Sequence, residues 1–416
     1  MKEFFTLEDF NLEGKTVLLR VDLNAPYNKE EKKIEDCERI REHAKTIQFL
    51  LDKKSKVVIL AHQGRKGDED FTSLEEHAKL LSKHLGREVK FVDDVVGRKA
   101  LNEIKNLKEG EALLLDNVRF LDEETQEKSI EEHSESKLVQ TLSKLADVFV
   151  LDAFSVSHRS HASIVGFAPL LPTVAGKIME KEITCVEKVH SGASVFILGG
   201  AKPDDCLKIM EHFLEKKPEC IEKVLTCGIV GEIFLATKYE LGKVTEKFFE
   251  EKGFSGLIPK AREILKRRGE KIEVPVDVAV EENGKRKELR VEELPCDNMI
   301  LDIGKETIKN YVEFISKAKN IVVKGPAGVY EKDGFEIGTR EILKAIANSK
   351  SFSLIGGGDT SLAIEKLGIE KEKFSYISLG GGALITYLSG SPMPGIEALK
   401  FSYEKFKGKI KRGNFK

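Results

Sequence analysis

The sequence predicts an α/β protein built from two doubly wound parallel-sheet domains. Short apolar runs rich in β-branched residues alternate with longer amphipathic stretches along nearly the whole chain of 416 residues. That alternation is typical of the strands and helices of a parallel sheet. The predicted strands are apolar throughout, as expected for strands that are covered on both faces. The length fits two or three domains at about 150 residues each.

Eleven segments are predicted as strands. In the first half they are Thr16–Val21, Lys56–Ala61, Ala112–Leu115 and Val148–Leu151. In the second half they are Ser194–Leu198, Lys223–Thr226, Ile272–Val276, Met299–Leu301, Asn320–Val323, Phe352–Ile355 and Phe374–Ser378. The helical patterns between them are Asp36–Asp52, Ser73–His84, Ile130–Ala146, Asp204–Phe213, Pro259–Arg268, Thr307–Ala318 and Thr339–Asn348.

A domain boundary is predicted near residue 170. Two prolines in Ala168–Thr173 interrupt the alternation, and a long helical pattern then runs from Val174 to about Val189. We therefore expect an N-terminal domain at residues 1–172, a connecting helix or hinge at 173–190 and a C-terminal domain at 191–395. The C-terminal tail, 396–416, is expected to complete the first domain.

Composition excludes several classes of protein. The chain has 68 Lys and Arg against 70 Asp and Glu, a formal charge of −2, which argues against a protein that coats nucleic acid. Its six cysteines have neither C-x-x-C pairs nor the spacing of a zinc site. The start, MKEFFTLEDF, lacks the apolar core of a signal peptide, and no stretch reaches the roughly 18 apolar residues of a membrane helix. We expect a cytoplasmic protein without a nucleic-acid or membrane partner, as a monomer or a weak homo-oligomer.

Polar and cationic residues follow the strands of the first half. Carboxyl ends of parallel strands meet at one edge of a sheet, where open α/β sheets bind their ligands. The planar fork of arginine suits phosphate and carboxylate groups. The pattern predicts a pocket for a small, multiply negative ligand, although each residue alone is more simply a solvated or paired charge. The segments after the four strands are Asp22-Leu23-Asn24, His62-Gln63-Gly64-Arg65, Asn117 with Arg119, and Asp152 with His158-Arg159-Ser160-His161.

Glycine clusters follow the strands of the second half. Glycine lets backbone N–H groups approach an anion, and a helix N-terminus adds partial positive charge. Repeated strand–glycine–helix junctions therefore indicate phosphate binding. Asp359 is placed to hold Mg²⁺ together with nucleotide phosphates; as an alternative, it is a helix N-cap. The clusters are Gly199-Gly200-Ala201-Lys202, Lys324-Gly325-Pro326-Ala327-Gly328, Gly356-Gly357-Gly358-Asp359-Thr360 and Gly380-Gly381-Gly382-Ala383.

The standard nucleotide motifs are missing. A Walker A loop ending in Gly14-Lys15-Thr16 would need glycine where Asp9 stands, and none of the glycine clusters meets G-x-G-x-x-G. The residues alone therefore predict a nucleotide site of another type together with a polyanion site.

Ten motifs stand in a fixed order along both halves. They are Leu18–Pro26 (LLRVDLNAP), Glu38–Ile40 (ERI), Ala61–Arg65 (AHQGR), Leu115–Phe120 (LDNVRF), Asp152–Ser163 (DAFSVSHRSHAS), Leu198–Lys202 (LGGAK), Leu301–Gly304 (LDIG), Gly325–Glu331 (GPAGVYE), Ile355–Thr360 (IGGGDT) and Leu379–Ala383 (LGGGA). In this order they resemble the phosphoglycerate kinase family over essentially the whole chain. The short N-terminus and the absence of tryptophan indicate an archaeal-type member.

The resemblance implies two Rossmann-like domains joined by a helical hinge, with a cleft between them. It also implies reversible, Mg²⁺-dependent phosphoryl transfer between 1,3-bisphosphoglycerate with ADP and 3-phosphoglycerate with ATP. By motif match, the acid substrate would be held by Asp22, Leu23, Asn24, Arg39, His62, Gln63, Gly64, Arg65, Arg119, Arg159 and His161. The nucleotide would lie on Gly199, Gly200, Lys202, Gly228, Pro326, Gly328, Glu331, Gly357, Gly358, Asp359 and Thr360, with Glu331 on the ribose and Asp359 on the metal.

Phosphoryl transfer asks a protein for in-line positioning and charge stabilisation rather than for a covalent nucleophile. We predict that Arg39, Lys202 and the backbone N–H groups of Gly357 and Gly381 stabilise the transferring group. Domain closure about the connecting helix and the segment after Pro394 would bring the substrates in line.

Three positions depart from the family pattern. Cys206 stands where many members carry a second lysine four residues after the GGAK lysine, and Lys208 lies two residues further on. Lys324 replaces the asparagine usual before GP and would supply a cation near the phosphates. Thr226-Cys227-Gly228 keeps one glycine of a usual run, which leaves the adenine contacts open.

Two other kinds of protein fit part of the sequence. A two-domain anion-binding protein without catalysis would explain the arginine-rich edge but not the glycine–helix junctions with Asp359. A different acid kinase outside the P-loop class would explain both features while acting on another carboxylate.

Overall fold

The computed structural model describes residues 2–410, which form two compact units. Unit 1 comprises the residues up to Ile183 and from Pro392 onward, and unit 2 comprises Thr184–Ser391. The first division falls inside the helix Lys177–His190. Each unit is built on its own parallel sheet.

The sheet of unit 1 has seven parallel strands in the order β1-β9-β8-β2-β5-β7-β6, and β3 pairs with β4 in a separate antiparallel ribbon. The strands are β1 (Phe5–Thr6), β2 (Thr16–Arg20), β3 (Tyr27–Asn28), β4 (Lys33–Ile34), β5 (Lys56–Leu60), β6 (Val89–Val92), β7 (Ala112–Leu115), β8 (Val148–Leu151) and β9 (Thr173–Ala175). The helices are α1 (Glu38–Asp52), α2 (Glu75–Leu85), α3 (Arg98–Asn106), α4 (Ile130–Ser134), α5 (Lys137–Leu142), α6 (Ala162–Val165) and α7 (Lys177–His190).

Unit 2 contains a six-stranded parallel sheet in the order β12-β11-β10-β16-β17-β18 and a three-stranded antiparallel sheet in the order β14-β13-β15. The strands are β10 (Ser194–Leu198), β11 (Ile221–Thr226), β12 (Ile272–Glu273), β13 (Asp277–Glu282), β14 (Lys285–Arg290), β15 (Ile300–Ile303), β16 (Asn320–Lys324), β17 (Phe352–Gly356) and β18 (Tyr376–Ile377). The helices are α8 (Pro203–Glu211), α9 (Gly228–Leu235), α10 (Lys243–Lys252), α11 (Ile258–Arg268), α12 (Lys305–Lys317), α13 (Ile337–Ala347), α14 (Gly358–Lys366) and α15 (Gly382–Leu388).

The predicted fold class is confirmed. Both large sheets are parallel, and each of the eleven predicted strands overlaps an observed one. The central strands β2 and β5 are almost completely buried, with consecutive residues on both faces of the sheet inaccessible to solvent. This two-sided burial explains why their sequences are continuously apolar instead of alternating.

The antiparallel sheet of unit 2 was not predicted. Strands β13 and β14 form a hairpin whose two-residue turn is Asn283-Gly284, with φ of +53° and +73°. Both residues thus adopt the left-handed conformation that a type I′ hairpin turn requires. Strand β15 pairs antiparallel with β13, so the prediction of Met299–Leu301 as part of a parallel sheet is wrong.

The single helix predicted at Ile130–Ala146 is also wrong, since α4 ends at Ser134 and α5 starts at Lys137. The Ser136 side chain accepts a hydrogen bond from the Val139 N–H at 3.4 Å, which caps a new helix start. Ser136 therefore starts a second helix inside a segment whose apolar spacing is that of one continuous helix.

The connecting helix starts later than predicted. Thr173–Ala175 is the strand β9, which pairs with β8 and β1. Helix α7 begins at Lys177, where the Asp152 Oδ1 accepts hydrogen bonds from the N–H groups of Ile178 and Met179 at 2.8 and 3.1 Å. A carboxylate at this position stabilises a helix N-terminus.

The C-terminal helix, α16 (Pro394–Ile410), packs on unit 1. Ser402 Oγ accepts a hydrogen bond from the Thr173 N–H at 2.7 Å, and Phe406 joins the apolar core around β2 and β5. The last residues of the expected tail, 411–416, lie outside the described residues. Among residues 2–410, no helix combines the length and the apolar composition needed to cross a membrane.

We expect Phe406→Ala to lower the free energy of unfolding by about 3–5 kcal/mol, because it removes a buried ring from the core of unit 1. Urea unfolding followed by far-UV circular dichroism measures this change. The neighbouring Lys405 is exposed, so Lys405→Ala is a matched control with an expected change of less than about 0.5 kcal/mol. Equal stability of the two variants would contradict a structural role of α16 in unit 1.

Candidate active site

Four neighbouring strands of unit 1 end at one edge of the sheet. Strands β8, β2, β5 and β7 are adjacent and parallel, so the segments that follow them gather at that edge. Arg39 reaches the same region from the first turn of α1. The predicted acid-site residues after the four strands are Asp22, Leu23, Asn24, His62, Gln63, Gly64, Arg65, Arg119, Arg159 and His161.

Asp22 lies at the centre of this edge and is 2% exposed. Its Oδ2 is 3.2 Å from Arg39 Nη1 and accepts a hydrogen bond from the Ser155 hydroxyl. Arg39 Nη1 also donates to the Asn24 carbonyl oxygen at 2.8 Å. Burial opposes ionisation, but the charge of Arg39, aided by the hydrogen bond from Ser155, outweighs it and holds the pKa of Asp22 well below its usual range. Asp22 is therefore a fixed negative charge that orients Arg39.

The loop after β5 is tied to the loop after β2. Gly64 N–H donates to Asn24 Oδ1 at 2.8 Å, while Gln63 exchanges two hydrogen bonds with the backbone of Ala25 at 2.9 and 3.0 Å. Gly64 has φ of +64°, and a Cβ there would lie 2.5 Å from the Asp70 carbonyl oxygen. Only glycine fits this close approach.

Several predicted residues support the site from beneath. Leu23 is fully buried in the apolar core, and His62 and Gln63 are also buried. His62 Nδ1 is 3.1 Å from Arg20 Nη2, and burial lowers its pKa well below the usual value. These side chains shape the edge and hold the exposed groups in position.

The cations divide into anchored and free groups. Arg119 Nη1 donates to the Gly64 carbonyl oxygen at 2.6 Å, and burial together with the charge of Arg20 lowers its pKa to about 10. Burial and then the charge of Arg119 lower the pKa of His161 to about 3, so this imidazole is neutral at neutral pH. Arg65 and Arg159 are exposed and have no ion-pair partner within residues 2–410. Their guanidinium groups are thus available to an anion.

Sequence reasoning missed a buried network beneath this edge. Arg20 is 1% exposed and donates from Nε to Ser163 Oγ at 2.8 Å. Ser163 Oγ in turn donates to Glu124 Oε1 at 2.7 Å, and burial raises the pKa of Glu124. An arginine inside the apolar strand Leu18–Val21 is a signal that could have identified Arg20, because buried charges need partners. No comparable signal marks Glu124.

The glycine loops of unit 2 pack against one another at the carboxyl ends of β10, β11 and β16. The N–H groups of Gly199, Gly200 and Gly228 donate to the carbonyl oxygens of Lys324, Pro326 and Ala327 at 2.8–2.9 Å. These three N–H groups are therefore engaged within the protein and are not available to a phosphate, while the placement of a nucleotide on Gly199, Gly200 and Gly228 stays a prediction. The absence of side chains at these glycines allows the loops to pack closely, since a Cβ on Gly228 would lie 2.9 Å from the Gly200 nitrogen.

Helix α14 begins directly after β17, and Gly357 with φ of +94° makes the turn between them. Gly358 and Asp359 are exposed at its first turn, where the leading N–H groups of a helix lack intrahelical acceptors. Thr360 is buried: its Oγ1 accepts from Gly325 N–H at 3.0 Å and donates to the Gly356 carbonyl oxygen at 3.1 Å. Thr360 thus positions the loop after β16. Helix α15 similarly follows Gly381 after β18.

Lysines surround the start of α8. Lys202 is exposed, without an ion-pair partner among the described residues. Lys324 is 7% exposed, with its Nζ 3.7 Å from Asp205 Oδ2. Cys206 is buried, and burial raises the pKa of its thiol to about 12. Lys208 is exposed further along α8, beside the segment Ser389–Ser391.

The remaining predicted nucleotide residues lie on the loop after β16. Pro326 and Gly328 are partly exposed and Glu331 is exposed. A Cβ on Gly328 would lie 2.4 Å from Asp302 Oδ1, so this loop also approaches β15 closely. The described part of the chain holds no group of three or more His, Cys, Asp or Glu side chains arranged for a metal ion.

Comparison with known proteins decides which kind of protein this is. A family model described as phosphoglycerate kinase matches residues 7–391. The chain belongs to the phosphoglycerate kinase family. The phosphoglycerate kinase of Methanosarcina mazei is 45% identical over 410 residues and that of Sulfurisphaera tokodaii is 44% identical over 409 residues, each alignment covering 97% of both chains.

Solved structures agree with this assignment. The crystal structure of phosphoglycerate kinase from Pyrococcus horikoshii aligns with a TM-score of 0.87 at 42% identity, covering 97% of this chain and 100% of that chain. The structure of phosphoglycerate kinase from Coxiella burnetii aligns with a TM-score of 0.81 at 30% identity, covering 95% of this chain and 98% of that chain.

The predicted activity is thereby confirmed. The chain is a phosphotransferase that moves a phosphoryl group between 1,3-bisphosphoglycerate with ADP and 3-phosphoglycerate with ATP, a reaction of glycolysis. The resemblance to archaeal members is confirmed as well. The two alternatives, an anion-binding protein without catalysis and a kinase for another acid, are wrong.

The buried histidine His77 leads to a prediction about how the free energy of unfolding changes in acid. Its Nε2 is 3.1 Å from Gln63 Oε1, and burial lowers its pKa from 6.5 to about 4. In the unfolded chain His77 is protonated below about pH 6.5, whereas in the folded chain it is protonated only below about pH 4. The free energy of unfolding therefore decreases as the pH falls through this range. We expect wild-type protein to lose about 2 kcal/mol more than His77→Gln between pH 7 and pH 5.

Urea unfolding at a series of pH values tests this expectation. The stability curves of wild type and His77→Gln should diverge in the acid direction and run parallel above pH 7. Parallel curves over the whole range would show that folding does not lower the pKa of His77.

Proposed function

We propose that the edge of unit 1 binds the acid substrate of this reaction. Exposed Arg65 and Arg159, without ion-pair partners among the described residues, are the observation that carries this assignment. They suit a phosphate group, and Asn24 with the fixed Asp22–Arg39 pair suits the hydroxyl and carboxyl groups of a small acid. The full set is Asp22, Leu23, Asn24, Arg39, His62, Gln63, Gly64, Arg65, Arg119, Arg159 and His161, of which the buried members act by positioning the others.

We further propose that unit 2 binds ATP and ADP along the carboxyl edge of its parallel sheet. The first turn of α14 and the exposed Lys202 supply positive charge for the phosphates. The packed loops with Gly199, Gly200, Gly228, Pro326 and Gly328 offer a surface with few side-chain atoms, and Glu331 would contact the ribose.

Mg²⁺ fits Asp359. Its carboxylate is exposed at the start of α14, beside the expected phosphates. Magnesium is usually held by one or two carboxylates together with substrate phosphates, so a single protein ligand is sufficient there. When bound, the ion would neutralise part of the phosphate charge.

Catalysis then consists of positioning and charge stabilisation. Arg39 and Lys202 would offset the charge that develops on the transferring phosphoryl group, together with the N–H groups of Gly357 and Gly381. The leaving group of the acyl phosphate is a carboxylate, which is stable as an anion, so a strong general acid is not required. None of these groups forms a covalent intermediate.

We also propose that domain closure brings the two substrates in line, with helix α7 and the chain after Pro394 as the hinge. This proposal is supported by the places where the chain passes from one unit to the other, which lie inside α7 and between Ser391 and Pro392. We infer a monomer or a weak homo-oligomer in the cytoplasm, acting on small molecules without a nucleic-acid or membrane partner.

Two substitutions test the division of binding between the units. We expect Arg159→Ala to weaken binding of 3-phosphoglycerate about tenfold or more, because a charged hydrogen bond contributes about 1.5–3 kcal/mol, and to leave ATP binding unchanged. We expect Asp359→Ala to weaken Mg²⁺-ATP binding and to leave the acid unaffected. Isothermal titration calorimetry of each variant with each ligand gives the four affinities. Equal loss of both ligands in either variant would contradict the assignment.

Lys202→Ala tests the catalytic role. We expect kcat to fall by about 10²–10³ with little change in KM, because the interaction forms mainly in the transition state. Lys208→Ala is the matched control, an exposed lysine on the same helix for which we expect near wild-type kcat. Steady-state kinetics coupled to reduction of the acyl phosphate measures both. A large rise in KM at constant kcat would instead make Lys202 a ground-state binding group.

A further inference from the structure

Helix α1 contains a buried histidine that has no role in the proposed function. His43 is 2% exposed and lies four residues after Arg39. Residues four apart share one face of a helix, and both of these side chains contact Asp22. Arg39 lies against its carboxylate, while His43 Nε2 accepts a hydrogen bond from its backbone N–H at 3.3 Å. His43 therefore supports the candidate acid site from the interior of unit 1.

The hydrogen bond from Asp22 fixes the position of the proton on His43. A ring nitrogen that accepts a hydrogen bond carries no proton, so the imidazole is neutral and its proton lies on Nδ1. Nδ1 is 3.4 Å from Asp152 Oδ2, and neither atom has a hydrogen-bond partner in residues 2–410. A buried donor and a buried acceptor are thus neighbours, separated by slightly more than the usual hydrogen-bond length of about 2.7–3.2 Å.

Asp152 connects this contact to helix α7. It is 0% exposed and follows β8, the strand beside β2. Its other oxygen, Oδ1, accepts hydrogen bonds from the N–H groups of Ile178 and Met179 in the first turn of α7 at 2.8 and 3.1 Å. One carboxylate therefore holds the start of α7 with one oxygen and lies beside His43 with the other. Helix α7 begins in unit 1 and continues beyond Ile183, where the chain passes into unit 2.

A small movement of helix α1 would close the contact between His43 and Asp152. Buried polar groups of native proteins are nearly always hydrogen-bonded, so a neighbouring donor and acceptor without partners call for an explanation. A shift of about 0.5 Å would bring the two atoms within the usual hydrogen-bond length. Arg39 and His43 belong to the same helix, so an anion that displaces Arg39 also displaces His43, because helices move as rigid elements.

We propose that His43 couples the acid site to helix α7 through Asp152. An acid bound at Arg39 closes the contact between His43 and Asp152, and the carboxylate then holds the start of α7 more firmly. This inference rests on the proposed acid site, and it gives domain closure a contact through which acid binding reaches α7. His43 touches neither substrate and acts through Asp22 and Asp152, so it is a positioning residue.

Amide hydrogen exchange of the full wild-type chain, with and without saturating 3-phosphoglycerate, tests the coupling directly. We expect the acid to slow exchange of the Ile178 and Met179 amides about fivefold or more, the value of one net hydrogen bond. These amides donate to Asp152, so their exchange reports on that carboxylate. Equal exchange rates in the two conditions would overturn the inference without the use of any variant.

Substitutions at His43 separate coupling from a general effect on stability. The acid should lose its effect on α7 exchange in H43L, whereas H43Q should retain it because an amide also offers one acceptor and one donor. The matched control is T46V on the same helix, which removes a buried hydroxyl that has no partner in the described residues and should keep the wild-type response. A full response in H43L, or its loss in T46V, would overturn the inference.

A double-mutant cycle supplies an independent measurement. Asp152→Asn keeps a side-chain oxygen for the start of α7 but replaces the acceptor beside His43 with an amide donor. By linkage, a contact that acid binding closes also strengthens that binding. We expect H43L and D152N each to weaken binding of 3-phosphoglycerate about twofold to fivefold in isothermal titration calorimetry. The double variant should bind no more weakly than either single variant, because all three lack the same contact.

Additive losses in this cycle would contradict the coupling. D152N should also lose the exchange response of α7, and this arm together with the wild-type measurement decides the matter if H43L does not fold. Absence of 3-phosphoglycerate binding, or unchanged affinity in Arg159→Ala, would reject the proposed acid site. Normal acid binding with an unchanged exchange rate at the start of α7 would overturn the role of His43 alone.

Discussion

A parallel strand can reach the next one only by a crossover, so every strand of such a sheet delivers its carboxyl end to the same edge. In unit 1 this constraint places Asp22, Arg65, Arg119 and Arg159 after four adjacent strands, although as many as 137 residues of sequence separate Asp22 from Arg159. In unit 2 the same constraint gathers four glycine loops and a helix start. Both candidate sites therefore depend on strand pairing that is remote from any ligand.

The edge of unit 1 has unpaired positive charges in solvent, whereas the less exposed charges of the same edge are paired. Arg39 is matched by Asp22, and Arg20 is linked through Ser163 to Glu124. Arg20, Asp22 and Glu124 are buried and need their partners, because desolvated charges without partners are strongly unfavourable. Arg65 and Arg159 have no such partners among residues 2–410 and lie in solvent, where an uncompensated charge has a low cost. The exposed Arg65 and Arg159 are thus free to bind an anion, whereas the buried Arg20 is held in the fold by its partners.

The apolar pattern predicted the parallel strands well, because burial on both faces leaves a continuous apolar run. It failed where other signals decide the structure. Asn283-Gly284 is a strong hairpin signal that apolar spacing cannot detect, and Ser136 caps the start of a new helix through a side-chain hydrogen bond. Thr173–Ala175 forms a strand because β8 and β1 provide the pairing edges. The partners of Arg20 come from positions 124 and 163, which no local pattern connects to it.

Glycine has two distinct roles in unit 2, and the sequence does not distinguish them. At Gly199, Gly200 and Gly228 the N–H groups already bond to the loop after β16, so these residues provide close packing and an open surface. At Gly357 the left-handed turn leads into α14, whose first N–H groups lack intrahelical acceptors. The proposed binding of the nucleotide phosphates therefore relies on the start of α14 and on Lys202 rather than on these three N–H groups.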